Sequence, residues 1–202
     1  MSANHAAFNL IFRFVENYVS PIAGRISSQR HVMAIRDGFI SAMPFMIVGS
    51  FLLVFAYPPF SPDTTWGFAR AWLDMAKQFE GQILTPFDMT MGVMSLYICA
   101  AIAYNLGKHY VKTHQLDPFM CAMLSLMAFL LVAAPKTKGA LPVDSLGGTG
   151  IFTAILVAIY CVEMMRFLKA HNIGIRLPDQ VPPMIKNSFD LLIPVLVVVL
   201  TL

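Results

Sequence analysis

Four long apolar runs, Phe39–Tyr57, Met89–Leu106, Phe119–Ala134 and Ile151–Leu168, punctuate the chain, and a fifth begins near Leu191 and is unfinished at Leu202. A helix needs roughly 20 residues, with a range of about 17–25, to cross a bilayer. The first, second and fourth runs meet that length. The third is slightly short and is expected to recruit flanking residues or to tilt little. The fifth, about 12 residues rising about 1.5 Å each, would reach only about 18 Å into a hydrocarbon core of about 30 Å. It also lacks a terminal charged anchor, so its stable insertion is expected to need a continuation.

The stretch before the first run has a different pattern. Placed at 100° per residue, Phe8, Ile11, Phe12, Val15, Tyr18, Val19 and Ile22 share one arc, and Asn9, Arg13, Glu16, Asn17 and Ser20 fill the opposite one. That is an amphipathic helix, lying in the membrane interface or packed against another part of the protein. Pro21 is tolerable only near its end, and Gly24 is expected to stop it. The interleaved polar residues do not match a signal peptide, which needs an uninterrupted apolar core. Between the first and second runs, Pro58–Pro86 holds both tryptophans, Trp66 and Trp72. There Phe68, Trp72, Met75 and Phe79 recur at helical spacing, which predicts a short helix, resting on the interface as an aromatic belt or packed over the bundle mouth.

Composition turns these runs into a class. The 202 residues are 57% hydrophobic and 12% charged, against about 25% charged in ordinary soluble domains. Mean hydropathy is +0.68. The predicted fold is all-α: a polytopic helical membrane protein of about five transmembrane helices, the fifth truncated, plus the N-terminal amphipathic interfacial helix. The net charge of +3 gives no case for nucleic-acid binding, which requires clustered cations on one face. Basic residues also orient the chain. With the N-terminus inside, Arg13, Arg25, Arg30, Arg36, Lys108, Lys112, Arg166, Lys169, Arg176 and Lys186 are cytoplasmic. Arg70, Lys77, Lys136 and Lys138 are then external, a split of 10 to 4 that uses all 14 cations.

Little in the chain points to self-contained catalysis. Cys99, Cys121 and Cys161 all fall inside apolar runs, with neither disulfide nor zinc spacing, and read as buried thiols. Glu163 lies within the fourth run, where an acid is a functional candidate by default. Arg166 at i+3 and Lys169 at i+6 offer the plainer reading of a pair snorkelling to the interface, in which case Glu163→Gln should leave folding nearly unchanged. Asp88, after Pro86, reads as the N-cap of the second run, and Asp117 before Pro118 as that of the third. His31, His109 and His114 have no partner at ligand spacing, so no metal is expected. P-loop, HExxH and nucleophile-elbow motifs are absent from the sequence. An enzyme built on Glu163 and Asp88 is the weakest reading.

The segment before the fifth run stands apart. Arg176-Leu177-Pro178-Asp179 leads to Pro182-Pro183 and then Asn187-Ser188-Phe189, and these prolines impose extended or turn geometry. Such polar, irregular backbone beside a span belongs at the interface, buried in protein, or along a wet cavity. Lys186 and Asp190, spaced i,i+4, fall where the helix resumes.

These residues resemble the membrane subunit, enzyme IIC, of bacterial phosphotransferase-system sugar permeases of the lactose/cellobiose/diacetylchitobiose branch. The resemblance runs through His31–Pro44, Gly92–Leu96 and Ile155–Glu163, and it is strongest over Ile175–Pro183 with Ser188-Phe189. It implies a bacterial inner-membrane, multi-pass permease subunit importing a β-linked disaccharide such as cellobiose or diacetylchitobiose. In such systems cytosolic IIA and IIB subunits relay a phosphoryl group from phosphoenolpyruvate, and IIB phosphorylates the sugar while IIC holds it. No cofactor and no catalytic or phosphorylated residue are then expected here. Family members are about twice this length, so the resemblance implies that residues 31–202 are the N-terminal scaffold and dimerisation half, with the transport half absent, and that residues 1–30 are a cytoplasmic amphipathic segment. Partners implied are IIA, IIB, the disaccharide, membrane lipid and a second copy of the chain. The sugar-binding residues have no assigned counterparts; Arg176, Leu177, Pro178, Asp179, Pro182 and Pro183 are carried over as a structural motif only. The alternative is a non-transporting membrane module that dimerises with a full-length permease.

Overall fold

The computed structural model describes Arg13, residues 15–133 and 143–174, Pro182, Ile185 and residues 189–202. All regular structure among them is helical. A π-helical turn, Val15–Val19, leads into α1 (Ser20–Ser27); there follow α2 (Arg30–Ala56), α3 (Gly67–Asp88), α4 (Met94–His114), α5 (Pro118–Ala133), α6 (Ile151–Ala170) and α7 (Leu192–Thr201). The helix at the N-terminus runs past Gly24, against expectation, and ends at Ser27, capped by Ser28, whose N–H reaches the Gly24 carbonyl at 3.1 Å. Pro21 lies where the π-helical turn passes into α1, and a residue with no N–H to place in an i→i−4 bond suits that change of helical register.

The first apolar run becomes α2, 27 residues long and continuous through Pro44. It starts after an extended Gln29 and stops at Tyr57, where Pro58-Pro59 forbids further helix. Its buried positions are all small: Ala34, Gly38, Ala42, Gly49 and Ala56. A side chain at Gly38 would press its Cβ to 2.9 Å from the Ile102 backbone nitrogen, so the glycine is what lets α2 and α4 approach. Small residues on such a face are the usual means of close helix packing where lipid removes the hydrophobic drive.

α4 is the centre of the bundle, packed against α2, α5 and α6. Its buried residues, Ser95, Ile98, Cys99, Ile102, Ala103, Leu106, Gly107 and Tyr110, recur every three or four positions, the spacing of one broad helical face. The three thiols are free and buried, as the sequence predicted. α7 leans on α5 and α6, with Val198 fully buried and the Tyr160 and Thr201 hydroxyls 2.6 Å apart.

Two expectations fail in the connection between α3 and α4. The helix expected to be short, α3, spans 22 residues and includes Pro86. Asp88 is its last residue and caps nothing; residues 89–93 form a turn, and α4 begins only at Met94, behind Val93. The turn is tight because the Gly92 N–H reaches back to the Phe87 carbonyl at 3.2 Å, and a Cβ at Gly92 would meet the Asp88 carbonyl oxygen at 2.5 Å. Asp117, by contrast, caps α5 as expected: its Oδ1 accepts from Phe119 N at 2.8 Å and Met120 N at 3.3 Å. The two tryptophans join Phe55, Phe60 and Phe68 in one aromatic group, and Trp72 Nε1 donates to the Phe55 carbonyl at 3.2 Å. α3 therefore packs over the end of α2, while Trp66 stays 62% exposed.

The surface is as informative as the core. Phe152 is 80% exposed, Leu156 69% and Leu200 76%. Large exposed apolar areas on this scale mark contact with lipid or another protein rather than with water. By length and composition α2 and residues Gly148–Ala170 can each cross a membrane, while α5 and α7 are shorter apolar helices.

Candidate functional site

The start of α2, the last turns of α4 and the second half of α6 meet at one end of the bundle. Glu163 is the hub. Its Oε1 accepts from the Tyr110 hydroxyl at 2.6 Å and lies 3.0 Å from His31 Nε2, and its Oε2 accepts from Arg166 Nε at 2.6 Å. Tyr110 is only 2% exposed, and two guanidinium groups approach its ring, Arg166 at 5.3 Å and Arg30 at 5.6 Å from the centroid. The His114 ring stands against it edge-on, 5.8 Å away.

The sequence explains why these groups converge. Arg30 and His31 open α2, the end of a helix whose dipole disfavours a cation such as the Arg30 guanidinium. A carboxylate on a neighbouring helix offsets that cost, and α6 supplies one. The local pair with Arg166 was expected; His31 and Tyr110, 132 and 53 residues away from Glu163, were not. The arginine at the dipole-disfavoured start of α2 was the signal that an acid had to come from elsewhere. With both oxygens of Glu163 engaged by three donors, the carboxylate ties three helices together and has little capacity left as a general acid or base.

A second polar contact lies beyond it. Lys169 Nζ sits 3.2 Å from Asp190 Oδ2 and donates to the Gln115 carbonyl at 2.9 Å. Gln115 ends α4 in the left-handed conformation, φ 52°. One lysine thus joins the ends of α4 and α6 to Asp190, two residues before α7. Lys186, four residues before Asp190, lies outside the described residues.

Asp88 is not part of this constellation. It lies at the other end of the bundle, where Gly92 meets Gly147, so the structure does not bring it to Glu163. Of the connector motif, Arg176, Leu177, Pro178, Asp179 and Pro183 lie outside the described residues; Pro182 is exposed and its carbonyl accepts from Ile185 N at 3.0 Å. Among the described residues no group of three or more His, Cys, Asp or Glu side chains is arranged to hold a metal.

Comparison with known proteins gives this architecture its context. Residues 36–202 match the family model "Phosphotransferase system, EIIC". The chain is 37% identical over 206 residues to the PTS system cellobiose-specific EIIC component of Geobacillus stearothermophilus, covering 93% of this chain and 43% of that protein. It is 34% identical to the lichenan permease IIC component of Bacillus subtilis, covering 92% and 42%, and 31% identical to the lactose-specific EIICB component of Lactococcus lactis, covering 90% and 31%. Among solved structures, the transporter ChbC, the IIC component from the N,N'-diacetylchitobiose-specific phosphotransferase system, superposes with a TM-score of 0.77 at 34% identity, over 94% of this chain and 45% of that one. The chain spans less than half the length of each of these proteins.

Proposed function

The chain belongs to the EIIC family of the phosphotransferase system, and from that premise we propose that it serves in the membrane permease of such a system, importing a β-linked disaccharide of the cellobiose or diacetylchitobiose kind. The observation that carries this reading is the match, over nine-tenths of the chain, to relatives whose names specify cellobiose, lichenan and lactose. The exposed apolar faces of α2, α6 and α7 support a bilayer as its solvent. The 10-to-4 distribution of cations supports an inner-membrane bundle of about five spans with the N-terminus and the Glu163 cluster in the cytoplasm. Residues 31–202 then act as the scaffold half, pairing with a second copy. The cytosolic IIA and IIB subunits deliver the phosphoryl group, and this chain contributes no phosphorylated residue.

In mechanistic terms the Glu163 cluster holds the cytoplasmic ends of α2, α4 and α6 as one rigid unit. A rigid frame is what a moving, sugar-holding part needs to work against. The test replaces the matching segment of the cellobiose-specific relative with this chain and measures phosphoenolpyruvate-dependent accumulation of labelled cellobiose in cells that hold IIA and IIB. Accumulation well above that of cells lacking the chimera is expected. A chimera that inserts normally yet accumulates no sugar would overturn the reading. Co-purification of the unaltered chain with a complete permease, without uptake, would favour the dimerising module instead.

A further inference from the structure

The outer face of α4, opposite Tyr110, carries a column that the permease reading does not use: Tyr104, Lys108 and Lys112, each four residues beyond the last. The buried side chains of α4 occupy the other half of its circumference, and Tyr104, Lys108 and Lys112 are exposed. Tyr104 is 39% exposed, and the Lys108 ammonium lies 4.4 Å from its ring centroid. The Lys108 side chain is thus folded back toward the apolar part of the helix instead of reaching out to water. Lys112 stands one turn farther on, and like charges at i,i+4 repel. Among the described residues no carboxylate lies within ion-pair distance of either lysine.

We propose that Tyr104, Lys108 and Lys112 form a headgroup site for an anionic phospholipid of the cytoplasmic leaflet. Along this face the order is Ala101, Tyr104, Lys108, Lys112, which follows the depth profile of a bilayer: apolar carbon, then the amphipathic ring at the interface, then charge at phosphate level. A phosphate between the two ammonium groups relieves their repulsion, and its acyl chains continue along the apolar face of α4. A doubly cationic site discriminates by headgroup charge, so phosphatidylglycerol is retained and zwitterionic phosphatidylcholine is not. The inference rests on the bundle spanning a bilayer, yet it can fail on its own, since a chain that inserts without preferring anionic lipid removes this site and leaves the permease reading intact.

The experiment is native mass spectrometry of the purified full chain, delipidated in detergent and titrated with phosphatidylglycerol, phosphatidylcholine or glycerol 1-phosphate. The variants are Lys108→Gln, Lys112→Gln, the double replacement, the double Lys→Arg replacement, and Lys77→Gln on α3 as a control. Phosphatidylglycerol affinity is expected to fall roughly fivefold for each lysine replaced by Gln and roughly 25-fold for both, from the typical contribution of a membrane-surface cation. The arginine variant and Lys77→Gln should bind as the parent does, with circular dichroism confirming that all variants are equally helical. Equal affinity for the two phospholipids would overturn the proposal, as would undiminished phosphatidylglycerol binding by the double Gln variant. Glycerol 1-phosphate binding as tightly as the lipid would equally overturn it, because the occupant would then be a free anion.

Discussion

Removing the carboxylate of Glu163 should loosen three helices at once, and the loss should be shared with Tyr110. The hydrogen bond from the Tyr110 hydroxyl joins a 2% exposed group to a charged acceptor at 2.6 Å, a contact worth about 1.5–3 kcal/mol. The His31 and Arg166 contacts involve side chains 43% and 41% exposed, against 25% for Glu163, so screening holds each to about 0–1 kcal/mol. Glu163→Ala strands the tyrosine hydroxyl and should therefore cost about 2–4 kcal/mol. Glu163→Gln keeps an acceptor for Tyr110 and should cost about half as much. For a chain of this size about 1 kcal/mol lowers Tm by roughly 2–4 °C. Thermal unfolding of the detergent-solubilised protein, followed by near-UV circular dichroism, should place Glu163→Ala roughly 5–15 °C below the parent. Combining it with Tyr110→Phe should cost less than the sum of the two single losses, by about 1–2 kcal/mol, because both remove one interaction. Losses that add to within about 0.5 kcal/mol, or a Glu163→Ala variant that melts with the parent, would refute the three-helix clamp.

Other replacements test other joints. Gly38→Ala should destabilise by about 1–3 kcal/mol, since its Cβ meets the Ile102 backbone, while Gly24→Ala, with nothing within 4 Å, should stabilise by about 0.5–1 kcal/mol in the same melting assay. Asp117→Ala should cost about 1 kcal/mol through the lost cap of α5, whereas Asp88→Ala, at the carbonyl end of α3, should be neutral or slightly stabilising. Lys169→Met should speed amide hydrogen exchange in α7 and in the residues just before it. Restoring the pair in the opposite sense, Lys169→Asp with Asp190→Lys, should recover part of that protection.

How far the sequence could be read depended on the range of the interaction. Apolar run length was enough for α2, α5 and α6, because a stretch of lipid-facing and core residues has one good conformation in a bilayer. The Asp117-Pro118 cap was legible because capping is decided by two or three adjacent residues. The turn at Met89–Val93 was not, since its residues are mostly apolar and its glycine is required by contact with Asp88, a geometric need that hydropathy does not register. For the same reason Asp88 looked like the start of a helix when it ends one. At Glu163 the sequence exposed only the neighbour, Arg166. His31 and Tyr110 arrive from other helices, and only Arg30 at the dipole-disfavoured start of α2 hinted that an acid was needed there. Lys169 repeats the lesson, its acid being Asp190 across a long connection instead of one nearby on its own helix.

The central claim is that this bundle crosses the membrane with the Glu163 cluster on the cytoplasmic side. Cys99, Cys121 and Cys161 are buried and should not react, so single cysteines at Arg25 and Asp63 report the two sides directly. In intact cells a membrane-impermeant maleimide should label Asp63→Cys and leave Arg25→Cys untouched until the membrane is opened. Labelling of Arg25→Cys in intact cells, with Asp63→Cys protected, would invert the bundle and contradict the claim; labelling of both would remove the membrane barrier between them.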